Sequence, residues 1–395
     1  MTTTSLSRAD RRELERMFAP MAGNFVTAAK EIARIDDPLE AEAWASAMLG
    51  TLARLELIGV DDPLGALGAV VIDGAAKRKR PESLALLLAA AAVAPPALAE
   101  RARQAAARMK GAQPPPWADL AGRAEPTVAW RCGDVFGDQD VVILGFAYPD
   151  GSEHSLSVLV DHNLGMAKDA YPCDAPHEVV EVWRSQSAGD PLAVGPDPID
   201  LGDAAALIGP ALETTTLFVD APVGEDFDET LLLLQARLRT LPDVPADRVV
   251  EDDRDAYVAT FLASPEAADL VRDTAEDVAE LIVDFRCDYG DGRPLRWSPA
   301  LVNEFLLDWV PRKVLRPADV LAQTPAVLDA WVRHAARLTG LAAHAVDQTL
   351  AEVEACRGEF ADVLEDQDAF GPAKTFAMAM VRDGVDLDDE ATVRR

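Results

Sequence analysis

The sequence predicts an α+β protein that is predominantly α-helical, with an N-terminal helical bundle, a small central antiparallel sheet and a C-terminal helical domain. Helical periodicity runs from residue 7 to about residue 110, the period falls to about two between residues 126 and 172, and helical patterns return from residue 253. At 395 residues the chain is too long for one ordinary core. We therefore expect four regions: a helical bundle over 1–112, a Pro-rich linker over 113–125, an α+β domain over 126–222 and an acidic helical domain over 223–395.

Prolines mark successive helix starts in the first region, because proline is favoured at the first helical position and lacks an N–H that would go unpaired there. The predicted starts are Pro38, Pro63, Pro81 and Pro96. Ser7 can cap an earlier helix, which Pro20 should bend or interrupt. The prolines at 114–116 cannot continue a helix, which favours a semi-rigid linker after the bundle.

The alternating stretches predict antiparallel strands joined by hairpins. They read TVAWRC, DVVILGFAY and HSLSVLV, separated by GDQD and PDGSE, with MAKDAY as a further short strand. A helix over 177–185, with Val179, Val182 and Trp183 inward, and a short helix over 203–212 should follow.

The C-terminal region is organised around a helix that should begin at Ser298-Pro299, where the serine oxygen can accept a free backbone N–H. An apolar stripe follows, formed by Leu301, Val302, Phe305, Leu306 and Trp309, while Glu304, Asp308 and Arg312 fall four apart on another face. We expect Trp309 to be a buried core residue.

The net charge of −31 is distributed unevenly. Residues 1–112 hold 15 Lys+Arg against 14 Asp+Glu, whereas residues 113–395 hold 22 against 54. Such a field repels phosphate backbones, so nucleic acid is an unexpected partner and a basic protein is the expected one. The segment 174–255 is the most acidic, and the carboxylates at a predicted helix start, Glu225, Asp226, Asp228 and Glu229, are the candidate partner-binding residues. An acidic surface that serves only solubility is the open alternative.

A cluster of polar residues lies where the third predicted strand ends, a position well suited to a functional site. Asp161, His162, Lys168 and Asp169 are the candidate catalytic residues there. Their spacing matches no zinc or two-histidine signature, and no metal or cofactor is expected. A nucleophilic Cys173 with His162 as its base is a weaker alternative. In the structural interpretation the stretch is a hydrogen-bonded turn, in which Asp161 and Asn163 satisfy backbone donors.

The sequence contains no complete catalytic fingerprint. Gly371-Pro372-Ala373-Lys374-Thr375 resembles the end of a phosphate-binding loop but lacks the first glycine and the preceding strand. The N-terminus lacks the apolar segment of a secretory signal, and the longest apolar stretch, residues 84–98, is too short to span a membrane, so a cytoplasmic location is expected. The favoured function is a non-enzymatic or regulatory protein-interaction module. The alternative is a hydrolase or metal-dependent enzyme with its site around the four candidate catalytic residues.

The segment WSPALVNEFLLDWVPRKV resembles uncharacterised proteins of high-GC actinobacteria, together with the preceding DFRCDYGDG and the later LDAWVRHAARLTG. Some of these proteins carry a central segment similar to LVDHNLGMAKDAY. The resemblance covers roughly the C-terminal two thirds of the chain. Those proteins have no established activity, so the resemblance implies no catalytic residue.

Overall fold

The computed structural model describes residues 8–53, 55, 60–218, 220–242 and 253–382. In these residues the chain is α+β and mostly helical, as predicted. The N-terminal helices are α1 (Arg8–Ala28), α2 (Pro38–Ala53), α3 (Pro63–Arg78), α4 (Pro81–Val93) and α5 (Pro96–Ala107). Four of them begin at the predicted prolines. The predicted cap Ser7 lies outside the described residues, and α1 continues through Pro20 without interruption.

The predicted linker packs onto the N-terminal helices. It contains one turn of 3-10 helix, Pro116–Asp119, in which Trp117 is completely buried. The indole N–H of Trp117 donates to the backbone oxygen of Ile32 at 2.7 Å, and the backbone N–H of Gly122 donates to Glu42 Oε1 at 2.6 Å. Because its aromatic residue fills the core, this segment does not act as a free spacer.

The described strands form one antiparallel sheet in the order β4-β3-β2-β1-β5. The strands are β1 (Glu125–Asp134), β2 (Gln139–Ala147), β3 (Glu153–Asp161), β4 (Met166–Cys173) and β5 (Ala193–Ile199). The first four confirm the predicted strands. The remaining strand, β5, was not predicted; it contains Pro196 and Pro198 and lies at the sheet edge, where missing N–H groups are tolerated.

Helices cover both faces of the sheet. Following β4 come α6 (Pro176–Ser187), α7 (Leu201–Leu217) and α8 (Phe227–Leu238). Val180 of α6 packs with Cys132 and Ile143 on one face, with Val179 and Trp183 beside them. Val182, predicted to point inward, is 53% exposed. The inward stripe therefore falls at i, i+1 and i+4 from Val179, so Val180 replaces Val182 in the predicted set.

The opposite face of the sheet shares its core with the N-terminal helices. One cluster of buried apolar side chains extends from Phe25 in α1 through the sheet to Leu241 after α8. Gly50 of α2 lies so close to α8 that a Cβ there would be 2.3 Å from the backbone oxygen of Asp228. The predicted boundaries at 112–126 and 222–223 thus fall within one packed core.

The C-terminal helices enclose a second apolar cluster. They are α9 (Arg254–Leu262), α10 (Arg272–Asp288), α11 (Pro299–Asn303), a π-helical segment (Glu304–Trp309), α12 (Val310–Lys313), α13 (Ala318–Leu321), α14 (Thr324–Thr339), α15 (Ala343–Glu365) and α16 (Pro372–Arg382). Ser298 Oγ accepts from the backbone N–H of Leu301 at 3.2 Å, so the predicted helix start is confirmed. Phe305 and Trp309 of the predicted stripe are buried. In the described part of the chain no helix has the length and apolarity needed to cross a membrane.

Candidate functional site

The candidate catalytic stretch lies in the turn between β3 and β4. Asp161 is the last residue of β3 and is buried. Its Oδ1 accepts from the backbone N–H groups of Asn163 at 2.9 Å and Leu164 at 3.0 Å. Lys168 Nζ lies 3.4 Å from the other oxygen, Oδ2. Both carboxylate oxygens are therefore engaged in holding the turn, the geometry that Asp typically adopts at such positions.

His162 turns away from Asp161 and pairs with a different carboxylate. Its Nε2 donates to Asp140 Oδ2 at 2.6 Å, and Arg131 Nε donates to Asp140 Oδ1 at 2.8 Å. Burial by itself would raise the pKa of Asp140, but the hydrogen bonds from His162 and Arg131 outweigh it and hold the pKa below its usual value. Asp140 is thus a buried, ionised group that orients the imidazole, and the imidazole remains slightly exposed.

Asp169 lies apart from the other candidate residues. The register pairs it with Leu159, whereas Asp161 pairs with Met166. Its carboxylate faces Gly224, where a Cβ would lie 2.8 Å from Asp169 Oδ1. The structure therefore brings Asp161, His162 and Lys168 into one turn and places Asp169 against the loop before α8.

The metal-ligand and thiol alternatives concern the side chains around this turn. Among the described residues no group of three or more His, Cys, Asp or Glu side chains is arranged to hold a metal ion. Cys173 pairs with Ser155, at the end of β4 away from His162. Burial raises the pKa of the Cys173 thiol, which disfavours the thiolate that a nucleophile requires.

An arginine from the segment between α10 and α11 binds the same turn. Arg296 donates from Nη2 to Asn163 Oδ1 at 2.6 Å and from Nη1 to Asp138 Oδ1 at 2.5 Å. The remaining guanidinium nitrogen, Nε, donates to Asp291 Oδ2 at 2.8 Å. Asn163 and Asp138 belong to the two loops at one end of the sheet. Arg296 therefore joins that end of the sheet to the segment between α10 and α11.

Asp291 is the centre of this C-terminal arginine cluster. It pairs with Arg286, with Arg293 Nε at 2.5 Å and with Arg296. Burial would raise the pKa of Asp291, but the three arginines outweigh it and lower the pKa. Arg286 is completely buried, and that burial lowers its pKa to about 10. Burial also raises the pKa of Glu304, although Arg286 opposes the shift. The cluster is an interior ionic network between the sheet and the C-terminal helices.

Comparison with known proteins identifies no relative. No family model matches the chain, and no curated protein and no solved structure matches it significantly. The function is therefore inferred from the geometry of the described residues.

The candidate partner-binding residues lie at the start of α8, on the surface. Glu225, Asp226 and Glu229 are exposed, and in the described part of the chain none of them forms an ion pair. Asp228 differs from them because it is half-buried and has an interaction of its own. The predicted set thus consists of three exposed carboxylates without an ion pair among the described residues and one half-buried carboxylate that has an interaction.

Two exposed apolar residues lie where α7 ends, at the other end of the α7–α8 connection. Leu217 is 81% exposed and Phe218 is 58% exposed. Thr215 Oγ1 donates to the backbone oxygen of Ala167 at 2.9 Å. The backbone N–H of Gly224 donates to the backbone oxygen of Lys168 at 2.7 Å. Both ends of the α7–α8 connection are thereby fixed to adjacent residues of β4. This apolar pair was not predicted from the sequence, because nothing in the apolar pattern of α7 marks its last turn as exposed.

A second polar cluster that sequence reasoning missed lies in the core. Arg237 of α8 pairs with Glu42 of α2, donates to Tyr148 OH at 2.9 Å and donates from Nε to His154 Nε2 at 3.2 Å. All four side chains are buried. Burial, reinforced by Arg237, lowers the pKa of His154 to about 3. We interpret this cluster as structural, because it connects α2, the sheet and α8.

Proposed function

We propose that this chain is a non-enzymatic protein-interaction module that binds a basic protein through the α7–α8 surface. We define that surface by Leu217, Phe218, Glu225, Asp226 and Glu229. The observation that carries the proposal is a pair of exposed apolar side chains at one end of the α7–α8 connection, with carboxylates that have no cationic partner among the described residues at its other end.

Each part of the surface has a distinct role in recognition. Phe218 and Leu217 offer the apolar area that anchors a partner, since a few buried aromatic and aliphatic contacts supply most of the binding free energy. The carboxylates attract a basic surface and set its orientation, and this increases the association rate more than the final affinity. The net charge of −31 favours the same class of partner.

The two ends of the connection that bears this surface are anchored to neighbouring elements. Gly224 and Thr215 donate hydrogen bonds to adjacent backbone oxygens of β4, and Gly50 permits the close approach of α2 to α8. A preorganised surface loses less conformational entropy on binding than a flexible one. The fixed backbone therefore supports a role in recognition for this connection.

The test is capture of partners from a lysate of the source cells at low and at moderate salt. Wild type is compared with a variant carrying Glu225→Gln, Asp226→Asn and Glu229→Gln, and with Phe218→Ser. Exposed charges are screened beyond about 8 Å at 0.15 M ionic strength. We expect a basic partner that wild type retains at low salt and releases as salt rises, and that both variants retain poorly.

A matched control removes three exposed carboxylates elsewhere, through Asp273→Asn, Glu276→Gln and Asp347→Asn. It changes the net charge equally and should capture the partner as wild type does. Adding Asp228→Asn to the first variant tests the half-buried carboxylate separately. Identical, salt-independent partner lists for all proteins would contradict the proposal and favour the solubility interpretation.

The hydrolase alternative keeps one supporting observation, the His162–Asp140 pair held by Arg131. A carboxylate that orients an imidazole is a recurring part of general-base sites. The arrangement brings together only part of the predicted set, Asp161, His162 and Lys168 without Asp169.

A further inference from the structure

An apolar groove lies on the C-terminal helices, far along the chain from the α7–α8 surface. It has a volume of about 530 Å³ and is lined by residues of α13, α15 and α16 and by their connections. Leu321, Phe360, Leu364 and Phe370 are among the apolar residues of its wall. Small-molecule sites typically have volumes of roughly 300–1,000 Å³, so the groove is large enough for an alkyl chain.

The charge along this groove is opposite to that of its surroundings. Residues 253–382 contain 13 Lys+Arg against 23 Asp+Glu. The groove nevertheless has three cations in its lining, Arg316, Arg357 and Lys374, against the single acid Glu365. An anionic group is therefore attracted to this part of an otherwise acidic region.

Lys374 is the decisive residue because it is buried without a counterion. Only 6% of its surface is exposed, and its Nζ donates to the backbone oxygen of Pro311 at 2.6 Å and lies 4.5 Å from the centre of the Phe370 ring. No carboxylate of the described residues lies within ion-pair distance of this ammonium group. An ammonium has three N–H donors, and a buried charge is costly unless it is paired. Burial accordingly lowers the pKa of Lys374.

We propose that the groove binds a free long-chain carboxylate, whose alkyl chain lies against Leu321, Phe360 and Phe370 and whose carboxylate pairs with the ammonium of Lys374. The apolar wall matches the chain, and the cations match the head group. Arg316 lies in the same lining and increases the attraction for the anion, whereas Arg357 contributes less because its Nε already donates to Glu354 Oε2 at 2.8 Å.

The test is titration calorimetry of the full chain with sodium dodecanoate below its micellar concentration. Dodecyltrimethylammonium, which has the same alkyl chain and the opposite charge, serves as the ligand control. We expect one dodecanoate per chain, bound at least about tenfold more tightly than the cation, because a hydrogen bond between charged groups contributes more than a neutral one. Lys374→Gln should weaken dodecanoate binding about tenfold, and Lys374→Arg should retain most of it.

Two further variants separate loss of binding from loss of folding. Lys77→Gln removes an exposed lysine on α3 and should bind dodecanoate like wild type. Ala361→Trp places a large side chain in the groove lining, keeps every cation and should abolish binding while the melting temperature is maintained. Absence of dodecanoate binding, equal binding of both surfactants, or unchanged binding by Lys374→Gln would each overturn the proposal. So would self-association of the chain through this groove that dodecanoate does not disrupt.

Discussion

Arg296 donates a 2.6 Å hydrogen bond to the side-chain oxygen of Asn163, a residue 133 positions earlier in the chain. The same guanidinium also reaches Asp138 and Asp291. These contacts lie between the two apolar clusters of the molecule, one around the sheet and one among the C-terminal helices. The β3–β4 turn, which contains the candidate catalytic residue His162, is therefore a place where the sheet and the C-terminal helices are joined.

The first prediction concerns this junction. Arg296→Ala should reduce the free energy of unfolding by roughly 3–5 kcal/mol, because it leaves the carboxylate of Asp138 without its arginine and removes one of the three arginines around Asp291. Arg296→Lys should rescue little, since an ammonium cannot reproduce the three directions in which the guanidinium donates. Urea unfolding measures both effects. Arg333→Ala, which breaks an exposed i,i+4 pair with Asp329, is the control and should cost at most about 1 kcal/mol.

A second prediction concerns acid stability and the buried cluster around His154. Arg237 Nε donates to His154 Nε2, so this nitrogen must be an acceptor and the imidazole is neutral. Glu42 and Tyr148 complete the surroundings of Arg237. The pKa of His154 is lowered to about 3 in the folded protein, below the unfolded value of about 6.5. The unfolded chain thus binds the extra proton between these two values, and stability falls as pH is lowered through that window.

The expected size follows from proton linkage. Between pH 7 and pH 5, His154 should remove about 2 kcal/mol of the free energy of unfolding. His154→Gln keeps an acceptor for Arg237 but has no group that titrates at this position. Between pH 7 and pH 5 the free energy of unfolding of this variant should therefore fall by about 2 kcal/mol less than that of wild type. Urea unfolding of both proteins at pH 7 and pH 5 provides the comparison. The pKa of His334 is also lowered, so His334→Gln tests whether that residue contributes part of the slope. Equal slopes for wild type and His154→Gln would show that His154 does not control acid stability.

Strong local patterns made much of the fold predictable from the sequence. The proline-led starts of α2, α3, α4 and α5, the four alternating strands and the Ser298 cap depend on neighbouring residues, which a sequence displays directly. β5 was not predictable by the same rules, because its prolines argue against a strand unless the edge position is already known. The packing of the predicted linker had one signal, Trp117, an aromatic residue inside a proline-rich segment.

The candidate site was less predictable because its contacts join residues that are distant in the sequence. Asp161, His162 and Lys168 are close in sequence and do share one turn, yet the partner of His162 is Asp140 on another strand. The three acceptors of Arg296 come from three separate loops. The hydrophobic periodicity within one helix or strand does not predict contacts between separate elements. Leu217 and Phe218 were overlooked for a different reason, since the apolar pattern of α7 gave no sign that its last turn leaves the core.

A third prediction distinguishes the two functional hypotheses at the turn. The oxygens of Asp161 are occupied by two backbone N–H groups and Lys168, and Nε2 of His162 is bonded to Asp140. We therefore expect that none of a panel of divalent ions raises the melting temperature by several degrees, whereas a specific ligand would do so by mass action. A large shift with one ion that disappears in His162→Ala would favour the metal-dependent enzyme. His177→Ala, at an exposed histidine on α6, is the control for nonspecific metal binding.

The final prediction concerns Trp309, which packs among Phe285, Tyr289 and Phe305 with ring centres 5.4–5.6 Å apart. Only 7% of Trp309 is exposed, so Trp309→Ala should reduce the free energy of unfolding by roughly 3–5 kcal/mol through lost burial and the resulting cavity. Its indole N–H has no hydrogen-bond partner in the described structure, so Trp309→Phe should cost clearly less, because it retains an aromatic ring and removes an unsatisfied donor. Phe376→Ala, at a residue that is 68% exposed, is the matched control and should change stability by no more than about 0.5 kcal/mol. If Trp309→Ala unfolds in urea at the same midpoint as Phe376→Ala, the ring does not hold the C-terminal core together.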